Sequence, residues 1–174
     1  GERRPSPRLT EALRDDASRR ARWFVAAASG AVVRRLVHNG GVTTQRTVSL
    51  LGSTGSIGTQ ACQIARNNPE RFRIVALSSG GRDLELVARQ AVEFDVELVG
   101  IASGDAARLE TLIADAASGA GKQVVSRVVS GDDASVQVAS VGADVVLNGI
   151  TGSIGLRPTI AALEAGSTLA LANK

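Results

Sequence analysis

At 174 residues, 44% of them apolar and with a net charge of +3, the chain is long enough for one ordinary hydrophobic core and too apolar to be a disordered segment. Its positive charge sits at one end: residues 1–46 hold ten arginines against four acids, while residues 47–174 are net −3, so the high isoelectric point gives the larger part no nucleic-acid character. The four aromatics (Trp23, Phe24, Phe72 and Phe94) are too few for a base-stacking platform, and no window approaches the ~20 apolar residues of a membrane span.

Residues 1–46 read as a basic extension, either unstructured or lying upstream of the true domain start, with Gly40-Gly41 marking its boundary. Arg19-Arg20 before Trp23-Phe24-Val25 faintly echoes a twin-arginine export signal, but the apolar run is short and acids intervene as they do not in transit peptides. The absence of any methionine reads as a processed, cut or partial chain. His38 stands alone, with no candidate co-ligand nearby, and reads as a loop residue. The single cysteine, Cys62, permits no intrachain disulfide. It reads as a small packed residue, and a cytoplasmic location is expected.

From Thr47 the pattern alternates between short apolar runs and helical periodicity. Strands are expected at 48–51, 73–77, 97–102, 123–129, 143–147 and 168–172. Helices are expected at 57–67, from an Asp83 cap to about 94, at 105–117, 132–141 and 155–165. Asn67-Asn68-Pro69 stops the first, because proline disfavours a helical residue before it. Gly119 to Gly121 ends the third, and Gly166 the last. This alternation predicts an α/β fold, Rossmann-like and doubly wound. Its sheet is mainly parallel, with helices on both faces, and residues 47–174 form the domain. Strands as apolar as Val145-Val146-Leu147 suit a sheet buried on both sides.

The chemistry is concentrated where the first strand meets the first helix. Val48-Ser-Leu-Leu runs directly into Gly52-Ser-Thr-Gly55-Ser-Ile-Gly58. The first glycine permits a sharp turn, the second admits close backbone approach by a pyrophosphate, and the third lets helix and strand pack closely. First-turn N–H groups lack intrahelical partners and lie at the positive end of the helix dipole, so an anion satisfies them. Thr54 and Ser56 add hydroxyl donors. The spacing is G-x-x-G-x-x-G, which is equally that of a bare strand-to-helix turn.

The second strand ends in Ser78-Ser-Gly80-Gly81-Arg82, with no carboxylate at its tip to bond a ribose 2′-hydroxyl. Small residues and an arginine suit a 2′-phosphate, so NADPH is expected over NADH. A solvated Arg82 is the bland alternative. The first motif returns at Gly149-Ile-Thr-Gly152-Ser-Ile-Gly155, matching it at six of seven positions. It reads either as a second ligand-binding turn or as a close-packed strand-helix junction.

Three separated stretches, Leu51 to Gln60, Asn68 to Phe72, and Leu156 to Gly166 continuing through Leu169-Ala-Leu-Ala-Asn-Lys174, resemble the 1-deoxy-D-xylulose 5-phosphate reductoisomerase family in order and spacing. The similarity spans residues 47–174. It implies an NADPH-dependent oxidoreductase of isoprenoid biosynthesis, one that rearranges and reduces a phosphorylated sugar with a divalent metal (Mg, Mn or Co), as a homodimer. By motif, Thr54, Gly55, Ser56, Ile57 and Asn173 would contact NADPH. Gly80, Gly81 and Arg82 would flank its 2′-phosphate, and Lys174 would reach the substrate. The family's metal-ligating Asp and Glu have no counterparts in this sequence, so binding without turnover is expected. A short-chain dehydrogenase is argued against by the absence of tyrosine. A non-catalytic dinucleotide-binding or regulatory module and a truncated gene product stay open.

Overall fold

The structure, a computed structural model, describes residues 45–172. Among these are six strands and five α-helices in strict alternation. They are β1 (Arg46–Leu51), α1 (Ser56–Asn67), β2 (Phe72–Ser79), α2 (Leu84–Phe94), β3 (Leu98–Ile101), α3 (Ala106–Gly119), β4 (Arg127–Ser130), α4 (Ala134–Ala139), β5 (Val145–Asn148), α5 (Leu156–Glu164) and β6 (Thr168–Leu171). A single 3₁₀ turn, Ser153–Gly155, leads into α5.

All six strands are parallel, in the order β4-β3-β2-β1-β5-β6. The chain winds outward from β1 to β4, crosses back to the other flank of β1, and continues to β6. Connections between parallel strands are right-handed, so reversing the winding direction moves the helices to the other face. The two apolar layers follow from this. One contains Leu50, Leu77 and Val99 under Cys62 of α1, Val87 and Ala91 of α2, and Leu109 and Ile113 of α3. The other contains Leu51, Ala76 and Val146 under Val138 of α4 and Ala162 of α5. Neighbouring Leu50 and Leu51 are both completely buried, one in each layer, as alternation along a strand requires. Burying a leucine side chain stabilises by roughly 1.5–3 kcal/mol.

Several boundaries differ from the sequence reading. The strand expected at 123–129 is confined to Arg127–Ser130, and Val125 is 91% exposed. The reason is pairing. β4 has only β3 as a neighbour, and the four residues of β3 pair one-to-one with Arg127 through Ser130. β2 is longer than expected because it pairs on both sides. Its register against β1 also shifts by one residue between Val48 and Ser49, which lets Ile74 and Ala76, two apart, face opposite layers. The helix expected at 132–141 is shorter, at Ala134–Ala139. The last helix begins as the 3₁₀ turn instead of directly at Gly155.

The polar groups of the interior are mostly tied to backbone. Ser49 Oγ donates to Val138 O at 2.7 Å, and Ser167 Oγ to Ala143 O at 2.7 Å. The Cys62 thiol sits in the first layer, and burial pushes its pKa from 9.0 up to about 11, with nearby Glu93 adding to the shift and Arg66 opposing it. It is a protonated packing group at neutral pH. Among the described residues, no helix is long and apolar enough to cross a membrane.

Candidate functional site

In a doubly wound sheet, the crevice for a ligand lies beyond the carboxyl ends of the two strands where the winding reverses. Here those strands are β1 and β5, and both glycine motifs are there. Gly149 N donates to Leu51 O at 2.9 Å, and a Cβ built on Gly52 would stand 3.3 Å from the Gly149 backbone. The topology thus brings together two loops almost a hundred residues apart in sequence.

The first loop is pinned to the end of β2. Gly52 N and Ser53 N both donate to Ser78 O, at 2.9 and 2.8 Å. Gly55 N then donates to Gly52 O at 3.1 Å, closing the turn. α1 starts on Gly55, which offers no side-chain cap, and its first turn contains no acid. The free N–H groups and the dipole are therefore left for another acceptor. Gly55 and Ser56 are exposed, while Thr54 and Ile57 are half-buried. Gly58 is the tight point. A Cβ there would lie 2.2 Å from Gly52 O and 2.6 Å from Ser53 Cα, so α1 can approach β1 only through glycine.

The stretch after β2 forms the neighbouring wall. Ser79 Oγ accepts from Gly81 N at 3.0 Å, and Thr54 Oγ1 lies 3.5 Å from the same oxygen, so this hydroxyl links the two loops. Ser103 Oγ donates to Gly80 O at 2.8 Å. Gly81 has φ +89°, and a Cβ there would be 1.8 Å from Ser103 O, so only glycine fits. Arg82 is exposed and makes no ion pair among the described residues. Asp83 does cap α2, its Oδ1 accepting from Leu86 N at 2.9 Å. Thr54, Gly55, Ser56 and Ile57 thus adjoin Gly80 and Gly81 through Ser79. Asn173 and Lys174 lie outside the described residues.

The second loop is closed from within by Asn148, which is completely buried. Its Nδ2 donates to Gly155 O and Thr159 Oγ1, both at 2.9 Å, and its Oδ1 accepts from Ile150 N at 3.0 Å. The sequence reading overlooked this residue. The available signal was an amide ending an otherwise apolar strand just before a glycine. It also overlooked Gln90, buried in α2, whose Nε2 donates to Ser53 O at 3.0 Å. A lone glutamine in a helix carries no pattern that marks it as reaching a loop thirty-seven residues away.

An open depression lined by Gln45, Asp144, Gly166 and Thr168 lies at the opposite, amino end of the sheet. Its carboxylate is committed: Asp144 Oδ2 accepts from Thr47 N and Thr47 Oγ1, both at 2.8 Å. Among the described residues, no three His, Cys, Asp or Glu side chains meet in a metal-holding group. These residues do not fit a divalent-metal centre.

Fold and crevice together define a Rossmann-like α/β domain with its glycine loops at the switch point. The family model for 1-deoxy-D-xylulose 5-phosphate reductoisomerase matches residues 48–174, and the chain belongs to that family. A reductoisomerase of this name from Arthrobacter sp. (strain FB24) is 58% identical over 130 residues, which is 74% of this chain and 33% of the relative. One from Beutenbergia cavernae is 57% identical over 129 residues, covering 74% of this chain and 32% of the relative. Among solved structures, the Zymomonas mobilis reductoisomerase in complex with NADPH superposes with a TM-score of 0.62 at 33% identity, covering 74% of this chain and 32% of that one. A reductoisomerase in complex with NADPH, fosmidomycin and magnesium gives a TM-score of 0.64 at 33% identity, covering 74% and 30%. The chain spans about a third of the length of these relatives.

Proposed function

We propose that residues 47–174 are the NADPH-binding domain of a 1-deoxy-D-xylulose 5-phosphate reductoisomerase, and that residues 1–46 are a separate basic extension. The observation that carries the nucleotide reading is the uncapped, acid-free start of α1 at Gly55, set between two glycine loops at the β1/β5 crevice. The relatives solved with NADPH support it. In this reading the pyrophosphate meets Thr54, Gly55, Ser56 and Ile57. The adenosine 2′-phosphate lies beside Gly80, Gly81 and Arg82, where a free guanidinium offers charge-assisted hydrogen bonds. Asn173 contacts the cofactor and Lys174 the substrate.

NADPH, when bound, supplies the hydride of the reduction. The chain's own residues bind and orient it: backbone N–H groups hold its phosphates, and the glycine loops set the depth to which it enters the crevice. In the whole enzyme the reaction is rearrangement and reduction of 1-deoxy-D-xylulose 5-phosphate to 2-C-methyl-D-erythritol 4-phosphate, a step toward isoprenoids. That enzyme is a cytoplasmic homodimer using Mg, Mn or Co. As part of this proposal, the 174-residue chain alone binds nucleotide without turnover.

Titration of the purified chain with NADPH and with NADH tests this, read by nucleotide fluorescence. Binding of NADPH well above NADH is expected. No binding of either nucleotide refutes the nucleotide reading. Equal affinity refutes the role given to Arg82, and product formation by the isolated chain refutes its inactivity.

A further inference from the structure

Gln90 holds the first glycine loop from behind, and the geometry shows what this does to the loop. Ser53 is fixed through both of its backbone polar groups. Its N–H donates to Ser78 O at 2.8 Å, and its carbonyl accepts from Gln90 Nε2 at 3.0 Å. The Ser53–Thr54 bond is trans, as are all peptide bonds among the described residues. In a planar trans peptide, C=O and N–H point in opposite directions. Turning the Ser53 carbonyl inward onto Gln90 therefore turns the Thr54 N–H outward, away from the helix layer. That N–H has no hydrogen-bond partner among the described residues. It lies two residues before the free N–H groups that open α1 at Ser56, with the Gly55 N–H, bonded to Gly52 O, between them.

A second observation marks the same spot. Three buried polar atoms have no partner among the described residues: Ser53 Oγ, Ser78 Oγ and Gln90 Oε1. All belong to the groups that pin this loop, and Gln90 is only 4% exposed. A buried amide oxygen without a partner is destabilising, and an apolar side chain of the same length would avoid the cost. A glutamine at this position makes sense for what its N–H does, not for packing.

We propose that Gln90 is a positioning residue for nucleotide binding. By holding the Ser53 carbonyl, it presents the Thr54 N–H as a preformed donor to a phosphate of the dinucleotide bridge. This rests on the nucleotide-binding reading above. Without Gln90, the peptide can rotate, and the donor must be ordered as the ligand binds.

The test compares two ligands on the full chain: NADPH, and adenosine 2′-monophosphate, which has the 2′-phosphate but no pyrophosphate. Gln90→Met keeps side-chain length and removes the amide. It should weaken NADPH roughly three- to tenfold, the worth of one hydrogen bond. Adenosine 2′-monophosphate should bind within about twofold of the unsubstituted chain. Equal weakening of both ligands would show a general structural role and overturn the proposal, as would unchanged NADPH affinity. Failure of the unsubstituted chain to bind NADPH would instead remove the nucleotide reading, and this proposal with it. If Gln90→Met does not fold, the unsubstituted chain still decides by NMR. The Thr54 amide signal should move on adding NADPH and stay put with adenosine 2′-monophosphate, and a Thr54 signal unmoved by NADPH overturns the proposal.

Discussion

Gly58→Ala tests whether the third glycine is a packing requirement. A methyl group there would sit 2.2 Å from Gly52 O and 2.6 Å from both Ser53 C and Ser53 Cα. Carbon-to-carbon contacts are optimal near 3.5–4.0 Å, so the start of α1 must move away from the β1 loop by roughly 1 Å. The obstructing atoms are backbone, pinned by the two bonds to Ser78 O, and cannot swing aside as a flexible side chain would. Overpacking of this kind costs about 1–3 kcal/mol. The helix-propensity gain from Gly to Ala offsets up to about 1 kcal/mol of it. The net expectation is a loss of about 1–2 kcal/mol. A domain of this size then melts on the order of 4–7 °C lower, with the larger shift at the larger loss. Because the displaced atoms are those of the loop proposed to hold the cofactor's phosphates, NADPH affinity should fall as well. The assay is a pair of thermal or urea melts, with an NADPH titration of each folded protein. Gly119→Ala, at the end of α3, is the control, since nothing lies within 4 Å of its Cβ position and its φ is ordinary. A Gly58→Ala protein that melts and binds like the unsubstituted chain would refute the close-packing argument.

Three further outcomes are expected. Arg82→Ala should lower NADPH affinity roughly tenfold or more while leaving NADH nearly unchanged, because only the former has a 2′-phosphate to pair with the guanidinium; titration with both nucleotides reads this directly. Asp83→Ala removes the bond from Leu86 N and the cap of α2, so a loss of about 1 kcal/mol is expected in urea denaturation. The Cys62 thiol, held up to about 11 against 9.0, should resist alkylation at neutral pH in the folded chain and react once the chain is denatured. Its contribution to stability has a definite sign. The unfolded thiol ionises first, so the stabilisation is fully present below about pH 9 and is lost as pH rises through about 11. Melts of the Cys62→Ala variant should lack this component of the alkaline decline.

The fold was legible because its signals are local. Alternating short apolar runs and 3.6-residue periodicity gave the six strands and five helices of the described residues. The Asp83 cap and the stop at Asn67-Asn68 were readable from residue chemistry alone. The glycine spacing placed the close-packed turn from β1 into α1, because one residue type at three positions reports close approach whatever surrounds it.

What the sequence could not determine depends on which strands become neighbours. The extent of β4 was misjudged because the length of β3 sets it, and that is a pairing property. The register shift that lets Ile74 and Ala76 face opposite layers leaves no periodic trace. The two glycine motifs were visible as copies, but only the return of the chain to the far side of β1 puts Gly52 against Gly149. Gln90 holds its loop by one hydrogen bond to backbone across thirty-seven residues, and Asn148 holds its loop by three, two of them to backbone. A lone buried amide has no sequence signature, because what it does is fixed by the atom it meets. The sequence by itself determined the elements, the turn chemistry and the family. The tertiary structure decided which turns share a crevice and which buried amides hold them there, because hydrogen bonds between distant segments exist only once the sheet order is set.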